Sequence, residues 1–483
     1  MEYLEFRTVI TIGYYIVAIV TVLFVIRDNR SPHKTLSWIL VLLTLPLLGL
    51  LLYFYFGHNF KRERLFDKKR RLTLGSITRL LKEQSIELTQ HPELLGDAIQ
   101  HIKTIKLILN KNRGRLTSLN SVKILNNGNE TYGAILKALE TAKSFIHIEY
   151  YIFDEGIIAN KIADILKRKS QEGVEVRFLY DAVGSWDLSE NFIEDLRQSG
   201  IKCHQALPVR FPTFTSKINY RNHRKIVLVD GNYGFLGGIN ISDKYIQFDE
   251  DIGGNWRDTH LQLEGECLQD LQLIFLTDWY FVTEEYIEAE DRYFPEITNN
   301  NDVKVQILPS GPDTDHNGVM NAFFSAINSA QNSIRIVTPY FLPNDSILTA
   351  IKNASYSGIS VTILIPGLSD SKIVQLGSQS YFDELLRAGV SIYQYHGGFI
   401  HSKILIIDDV MTSIGTANMD FRSLEQNMEV NAMIYDRAIT QDAVQKFNSD
   451  LKSSIKLSQG IWRRRSRKTK ILESAARLFA PLM

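Results

Sequence analysis

Residues Arg221–Gly231 read RNHRKIVLVDG, and residues Phe399–Asp409 read FIHSKILIIDD. Each stretch contains the pattern His-x-Lys-x4-Asp, in which four aliphatic residues separate the lysine from the aspartate. A short continuous apolar run of this kind is typical of a buried β-strand. Because residues two apart on a strand share a face, the His and the Lys of each pattern are expected to point at one site. The motif residues are His223, Lys225, Asp230, His401, Lys403 and Asp408.

Other polar residues follow the two motifs. The aspartate of each motif is five residues past the lysine, on the other face of a strand, so we expect it to brace a turn rather than to touch substrate. An asparagine and an acidic residue come after each motif, although the acidic residues match less closely in spacing than the asparagines. These supporting residues are Asn240 and Asp258 in the first stretch and Asn418 and Glu429 in the second.

The two motifs lie within a longer internal repeat, whose equivalent positions are about 178–190 residues apart. A helical pattern over Tyr132–Ser144 precedes a predicted strand over Phe145–Phe153, and Met320–Ser333 likewise precedes Ile334–Phe341. Strands that alternate with helices indicate an α/β fold with mixed or largely parallel sheets. Two duplicated halves often face each other across a ligand cleft, so we expect the active site between them.

Two histidines, two lysines and two amides are suited to phosphoryl chemistry. One histidine can attack phosphorus while the other protonates the leaving alcohol, which divides a phosphodiester exchange into two easier steps. The lysines and asparagines can donate to the non-bridging oxygens, which gain charge in the transition state. Asp258 and Glu429 can each accept the second ring N–H of a histidine and so fix its tautomer. No metal-ligand cluster accompanies the motifs, and we predict that the reaction needs no metal.

The N-terminal region contains two long stretches without charge, Thr8–Ile26 with 19 residues and Thr35–Gly57 with 23. Each is long enough to cross about 30 Å of hydrocarbon as a helix. The first reads poorly as a cleaved signal peptide, because two acidic residues precede it and no small-residue cleavage site follows. We therefore predict a transmembrane hairpin over residues 1–57, with Pro46 only kinking the second span.

The formal net charge of zero conceals an uneven distribution. Residues 27–71 carry ten Lys/Arg against three Asp/Glu, residues 456–470 carry seven and no acid, and the rest of the chain has an excess of fourteen acids. A nucleic-acid-binding protein would carry its basic residues on the working domain, so no nucleic-acid partner is expected. The larger basic cluster follows the second span, which predicts that both termini and the catalytic region face the cytoplasm.

The C-terminal segment 459–483 reads as a basic amphipathic helix. A run of basic residues from Trp462 to Lys470 precedes apolar residues at 471, 472, 475, 476, 479 and 480, which fall on one helical face. Such a helix is suited to an anionic membrane surface, although a basic tail packed on its own domain is the alternative. Residues 58–115 read as a basic, helical linker or cap.

Taken together, these residues resemble the phospholipase D superfamily and, over nearly the whole chain, the bacterial cardiolipin synthase family within it. Small departures occur at Gly238, where many superfamily members have Ser or Thr, and at Asp258, which replaces a Glu. The resemblance is carried by the paired motifs, Gly237-Gly238-Ile239-Asn240, Gly415-Thr416-x-Asn418, Asp420-x-Arg422-Ser423-x3-Asn427-x-Glu429, Thr338–Phe341, the two N-terminal spans and Trp462…Arg477-Leu478.

The resemblance implies transfer of a phosphatidyl group from one phosphatidylglycerol to another, which gives cardiolipin and glycerol through a phosphohistidine. It implies His223 as the nucleophile, His401 as the acid and then the base, and no cofactor. A membrane-bound phospholipase D that hydrolyses phospholipids to phosphatidic acid would use the same residues, so that alternative stays open; a nuclease and an inactive membrane protein fit less well. The expected phospholipase D-like domains cover 116–295 and 296–458.

Overall fold

A computed structural model of the chain describes residues 2–27, 32–45, 48–53, 76–209, 220–250, 252–288, 290–297, 301–312 and 317–482. The chain divides into two compact units, of which the smaller contains the N-terminal helices. In that unit the Tyr14 hydroxyl donates to the Leu42 carbonyl, and the Trp38 and Tyr53 rings meet edge to face at 5.4 Å. Its helices are α1 Glu2–Arg27, α2 Pro32–Thr44 and α3 Leu48–Leu52.

Among the residues that the structure describes, none of the helices is both long enough and apolar enough to cross a bilayer. In the second uncharged stretch, the described residues include α2, which ends at Thr44, and α3, which begins at Leu48. The expected kink at Pro46 and the basic cluster at 61–71 fall outside the described residues, so the two spans and their orientation stay predictions.

The larger unit is built on one extended sheet. Within the described residues, fifteen strands form this sheet in the order β19-β13-β12-β10-β15-β16-β18-β9-β1-β8-β6-β5-β2-β3-β4. The strands are β1 Thr117–Asn126, β2 Phe145–Tyr150, β3 Glu175–Asp181, β4 Lys202–Ala206, β5 Ile226–Val229, β6 Tyr233–Gly237, β7 Asn255–Arg257, β8 Thr259–Gly265, β9 Asp302–Ser310, β10 Ser333–Val337, β11 Phe341–Leu342, β12 Ser360–Pro366, β13 Ser391–Tyr395, β14 Gly398–Ile400, β15 Ile404–Ile407, β16 Met411–Gly415, β17 Met419–Asp420, β18 Glu429–Tyr435 and β19 Ser454–Lys456.

The sheet displays the internal repeat directly. The order β4-β3-β2-β5-β6-β8-β1 is matched strand for strand by β13-β12-β10-β15-β16-β18-β9, and the two series join where β1 runs antiparallel to β9. Within each series the first three strands are parallel and the rest are antiparallel. The predicted α/β class with a mixed sheet is therefore confirmed, and the duplicated halves share one continuous sheet.

Helices cover both faces of the sheet. On one face, helices α9 (Cys267–Thr283) and α15 (Arg437–Lys452) pack over the centre, where Phe275 and Phe447 join the core formed by Leu228 and Ile406. Separate apolar clusters fill the other face beneath each half. The helices of this unit are α4 Ser76–Gln90, α5 Ile102–Leu107, α6 Asn127–Thr141, α7 Ile157–Gln171, α8 Glu190–Gln198, α9 Cys267–Thr283, α10 Gly318–Ser329, α11 Asp345–Tyr356, α12 Lys372–Gln379, α13 Phe382–Arg387, α14 Phe421–Glu425, α15 Arg437–Lys452, α16 Gln459–Arg463 and α17 Arg467–Leu478.

The predicted linker, residues 58–115, also packs against the core of the larger unit where the structure describes it. Leu88, Leu95, Ile105 and Ile108 are buried in the same apolar cluster as Val319 of α10. These residues lie in successive short helical pieces between residues 76 and 112, and the apolar side of each piece packs on that core. From residue 76 onward it therefore caps the second half of the sheet.

Candidate active site

The two motif histidines occupy corresponding places, each three residues before a buried central strand. His223 precedes β5 and His401 precedes β15, and both side chains are buried. All four residues of β5 and of β15 are buried, as the apolar runs in the motifs predict. The sheet therefore presents each histidine at a fixed strand end.

The motif aspartates lie at the opposite ends of the same strands. Asp230 accepts hydrogen bonds from the backbone N–H groups of residues 143–145 at 2.7–2.8 Å. Asp408 accepts from the N–H groups of residues 331–333 at the same distances. Each aspartate therefore ties the end of a motif strand to the start of its neighbour, β2 or β10.

The backbone links each histidine to the other repeat. The His223 N–H donates to the Met428 carbonyl at 2.9 Å, and the His401 N–H donates to the Arg257 carbonyl at 2.7 Å. The second contact extends the short parallel pairing of β7 with β14. Each acceptor carbonyl belongs to the residue directly before one of the predicted acidic residues, so this pairing carries those acids to the histidines.

The histidines and acids consequently pair crosswise between the repeats. His223 Nδ1 lies 2.9 Å from Glu429 Oε2, and His401 Nδ1 lies 2.8 Å from Asp258 Oδ2. Both carboxylates are fully buried. The structure thus brings together His223, His401, Asp258 and Glu429, and it identifies Asp258 as the counterpart of Glu429.

The residues beside the two carboxylates differ between the repeats: Thr416 contacts Glu429, and Gly238 lies next to Asp258. The Thr416 hydroxyl donates to Glu429 Oε2 at 2.5 Å. The position equivalent to Thr416 is Gly238, where an added Cβ would lie 2.2 Å from Asp258 Oδ1. Because the aspartate occupies the space that a Ser or Thr side chain would need, the two departures from the superfamily pattern, Gly238 and Asp258, compensate each other.

The two lysines lie beside their histidines. Lys225 Nζ donates to the His223 carbonyl at 2.8 Å. Lys403 Nζ lies 2.8 Å from His401 Nδ1 and 3.0 Å from Nε2, and it is 4.0 Å from Asp258. The structure therefore confirms that the His and the Lys of each motif share one site.

The two asparagines have different surroundings. Asn240 Nδ2 donates to the Tyr245 hydroxyl at 3.3 Å, and that hydroxyl lies 3.2 Å from His401 Nδ1. Asn418 Nδ2 donates to Asp420 Oδ2 at 2.9 Å. Both asparagines are buried close to the motif residues, but Tyr245 has no recognisable signal in the motif spacing and was not predicted.

Aromatic rings border the histidines, and more of them surround His401. The rings of Trp256, Phe399 and Tyr340 have centroids 5.4, 5.8 and 6.3 Å from that of His401. Tyr151 meets the His223 ring edge to face at 4.8 Å. Tyr151 and Tyr340 follow corresponding strands of the repeat, which is the signal that could have identified them.

Burial and charge decide the protonation of the histidine–acid pairs. Burial, together with the nearby lysines, lowers the pKa of His223 and of His401 to about 4. Burial alone would raise the pKa of Asp258 and of Glu429, but the facing histidines and lysines outweigh it and lower both. At neutral pH each ring is neutral and donates its Nδ1–H to an ionised carboxylate, so the lone pair is on Nε2.

Burial also lowers the pKa of both lysines, against the attraction of the two carboxylates. The pKa falls to about 7 for Lys225 and about 8 for Lys403. The Lys403 ammonium also opposes the charging of Lys225. A phosphodiester anion placed between them would relieve this repulsion, so the site is suited to binding one.

A metal centre has no evident ligand set in the part of the chain that the structure describes. No group of three or more His, Cys, Asp or Glu side chains there is arranged to hold an ion. The predicted independence from metal concerns the reaction itself and stays a prediction.

Comparisons with known proteins agree with this geometry. A family model described as "Cardiolipin synthase, PLD-like domain" matches residues 135–279 and 323–451, and a second, "Phospholipase_D-nuclease N-terminal", matches residues 15–58. The chain is 44% identical to "Cardiolipin synthase 2" of Bacillus anthracis over 468 residues, which cover 94% of this chain and 88% of the relative. It is 41% identical to "Cardiolipin synthase" of Halalkalibacterium halodurans over 485 residues, 99% of this chain and 94% of the relative.

Among solved structures, the phosphatidylserine synthase of Haemophilus influenzae Rd KW20 is similar with a TM-score of 0.60. The match covers 79% of this chain and all of that one at 13% identity, so it shows a shared fold. Two family-model matches centred on the two repeats, together with relatives that align over almost the whole chain, account for both the fold and the paired motifs. The chain belongs to the cardiolipin synthase family with PLD-like domains.

Proposed function

We propose that this protein transfers a phosphatidyl group from one phosphatidylglycerol to another and so makes cardiolipin and glycerol. The relatives named above as cardiolipin synthases support the reaction. The observation that carries the chemistry is the crossed pairing of His223 with Glu429 and of His401 with Asp258. This pairing gives two oriented imidazoles in one buried site beside two lysines, as a two-step phosphoryl exchange requires.

In the first step His223 Nε2 attacks the phosphorus of the bound phosphatidylglycerol. A nitrogen–phosphorus bond forms, the bond from phosphorus to the glycerol oxygen breaks, and His401 gives that oxygen a proton. Glu429 stabilises the positive charge that develops on the His223 ring. Lys225 and Lys403 stabilise the charge on the non-bridging oxygens. That His223 rather than His401 attacks rests on resemblance to the superfamily.

His401 must carry a proton to act as the acid. Its pKa is low in the empty site because of burial and the neighbouring Lys403. A bound phosphodiester adds negative charge beside both groups, which favours the imidazolium and raises this pKa. Substrate binding therefore charges the general acid only when a leaving group is present to receive its proton.

In the second step the acceptor's glycerol hydroxyl attacks the phosphohistidine. His401, now neutral, takes the hydroxyl proton, an oxygen–phosphorus bond forms, and the bond to His223 breaks. The enzyme returns to its starting protonation state with cardiolipin as product. No cofactor is needed to balance either step.

We propose further that residues 8–26 and 35–57 hold the chain in the cell membrane, with the catalytic region in the cytoplasm. The uncharged length of both stretches supports this, as do the exposed apolar side chains of α1, such as Ile12, Ile16 and Leu23. The catalytic region would consist of phospholipase D-like domains 116–295 and 296–458, with the active site between them. The crossed pairs support that division, since each draws one residue from either range.

A phospholipase D that uses water as acceptor remains the second candidate, because it would share every residue of the site. Purified protein in phosphatidylglycerol vesicles separates the two. The proposal predicts cardiolipin and free glycerol in equal amounts, measured by lipid mass spectrometry and a glycerol assay. Phosphatidic acid as the main product would favour the hydrolase.

A further inference from the structure

Three exposed apolar side chains occupy loops close to the histidines. Trp186, Phe248 and Leu368 are 61%, 65% and 55% exposed. Large apolar side chains scattered singly over a surface are ordinary, but several exposed around one site mark an interaction surface. Trp186 follows β3 and Leu368 follows β12, which are corresponding strands of the repeat.

The Trp186 loop lies against the His223 side of the site. Ser185 Oγ donates to the Tyr151 carbonyl at 3.1 Å, and a Cβ at Gly184 would meet the same oxygen at 2.2 Å. Tyr151 in turn contacts the His223 ring at 4.8 Å. Trp186 is the residue after Ser185, so its loop lies beside Tyr151 and close to His223.

The other two loops lie against the His401 side. Asp249, next to Phe248, accepts a hydrogen bond from the Trp256 indole at 3.1 Å, and Trp256 borders His401. Asp370, two residues after Leu368, accepts from the Tyr340 hydroxyl at 2.7 Å, and Tyr340 also borders His401. Exposed apolar side chains thus lie on the His223 side of the site and on its His401 side.

A basic helix continues this surface. Helix α12 begins two residues after Asp370, exposes Ile373, and packs against the C-terminal helix α17. The outer side of α17 is apolar, with Ile471 at 68% and Leu478 at 80% exposure, whereas its Glu473 is buried against Arg465. Exposed arginines and lysines between 463 and 470 flank these side chains.

We infer that Trp186, Phe248, Leu368 and Ile373 form a rim that inserts into an anionic lipid bilayer around the entrance of the active site. The inference rests on the proposed function, since a substrate with two acyl chains must reach the histidines from a bilayer. Tryptophan is favoured at the membrane–water interface, and basic side chains are attracted to anionic headgroups. Separate loop tips around an entrance, with a basic helix alongside, suit a bilayer better than a protein partner, which usually requires one continuous patch.

The test uses single cysteines in the full-length protein. The native Cys203 and Cys267 are buried, so a solvatochromic label will attach to Trp186→Cys, Phe248→Cys, Leu368→Cys or Ile373→Cys. The matched control is Tyr356→Cys, equally exposed but located before β12, at the end of that strand opposite Leu368. Each labelled protein is placed in nanodiscs of phosphatidylglycerol and phosphatidylcholine with or without brominated acyl chains.

We expect the rim labels to show a blue-shifted emission that the brominated chains quench, and the control label to show neither. Water-like emission at the rim in protein that still makes cardiolipin would overturn the inference alone. A blue shift without quenching would mean that protein covers the rim, and it would overturn the inference as well. Failure of the proposed function would be seen separately, because unlabelled wild-type protein would then make no cardiolipin in the same nanodiscs.

Discussion

His223 and Glu429 are 206 positions apart in the chain, yet His223 Nδ1 and Glu429 Oε2 lie 2.9 Å apart in the fold. The reciprocal pair, His401 with Asp258, repeats the arrangement in the opposite direction. Neither repeat therefore supplies a complete histidine–acid pair. The duplication supplies one histidine and one acid in each repeat, and the backbone contacts between the repeats bring each histidine to the acid of the other.

The crossed pairs make the acids as necessary as the histidines. Glu429→Gln and Asp258→Asn should each lower kcat by roughly 10²–10⁴-fold, because an amide does not stabilise an imidazolium and can select the wrong tautomer. Cardiolipin formation by purified variants measures this, with circular dichroism to check folding. Glu264→Gln, on β8 and bonded to Gln262, is the matched control. Wild-type rates in either acid variant would contradict the crossed pairing.

The lowered pKa values predict the pH profile of kcat/KM for the free enzyme. Below about pH 4 His223 is protonated and loses its lone pair, so activity falls. Above about pH 4 the free enzyme must take up the proton that His401 needs, so kcat/KM declines as the pH rises, and above about pH 7–8 the decline steepens because Lys225 and then Lys403 lose their charge and bind the phosphodiester less well. Initial rates in mixed micelles at constant ionic strength should show both limbs. Lys225→Arg keeps its charge and should move the alkaline limb upward; an unchanged limb would exclude Lys225 as its source.

Buried histidines also predict sensitivity to acid. His223 and His401 have a pKa of about 4 when folded and about 6.5 when unfolded, so the unfolded chain binds more protons between these values. The free energy of unfolding should fall as the pH falls from 6.5 towards 4, by up to about 3 kcal/mol for each histidine. The lowered carboxylate pKa values of Asp258 and Glu429 act in the same direction.

The predicted acid sensitivity can be tested with a buried histidine that takes no part in the proposed reaction. His260 is fully buried, neither ring nitrogen has a partner among the described residues, and burial lowers its pKa to about 3. His260→Leu should therefore flatten the pH dependence of urea unfolding in detergent, whereas His91→Leu, at an exposed position, serves as control. Equal slopes in the wild type and His260→Leu would show that buried histidines do not cause the acid sensitivity.

The motif aspartates should affect stability more than chemistry. Asp230→Asn and Asp408→Asn weaken three backbone hydrogen bonds each and should cost about 1–3 kcal/mol of unfolding free energy. The activity of the folded fraction should stay within a few-fold of wild type, since neither side chain reaches the histidines. Asp302→Asn, at a largely exposed residue, is the control. A large loss of kcat in stable protein would assign the aspartates a catalytic role.

Much of this architecture follows from the sequence because local rules determine it. Aliphatic runs after Lys225 and Lys403 predict the central strands, and equal spacing predicts the aspartates that brace them. Pairing between the halves is a long-range property, and the spacing of Asp258 and Glu429 says nothing about which histidine each meets. Tyr245 reaches His401 from a loop, and motif spacing gives no signal for that approach.

The C-terminal helix α17 shows a second limit of prediction from the sequence. Its apolar residues were expected on one face, but Ile471 and Leu472 are exposed whereas Ala476 and Ala480 are buried. The sequence pattern defines the stripe, but only packing decides whether it turns to the core or to solvent. Here Glu473 is buried in an ion pair with Arg465, while the other charged residues of the helix face solvent or are partly exposed.

The double-displacement mechanism is the central claim, and trapping its intermediate tests it most directly. Full-length protein is mixed with phosphatidylglycerol radiolabelled at phosphorus, quenched with alkali within one turnover, and digested for peptide mapping. We predict an acid-labile phosphohistidine on the peptide that contains His223, formed and consumed as fast as the enzyme turns over, together with ping-pong kinetics. The same adduct on His401 would reverse the roles of the two histidines. Absence of any adduct, with single-displacement kinetics, would contradict the mechanism.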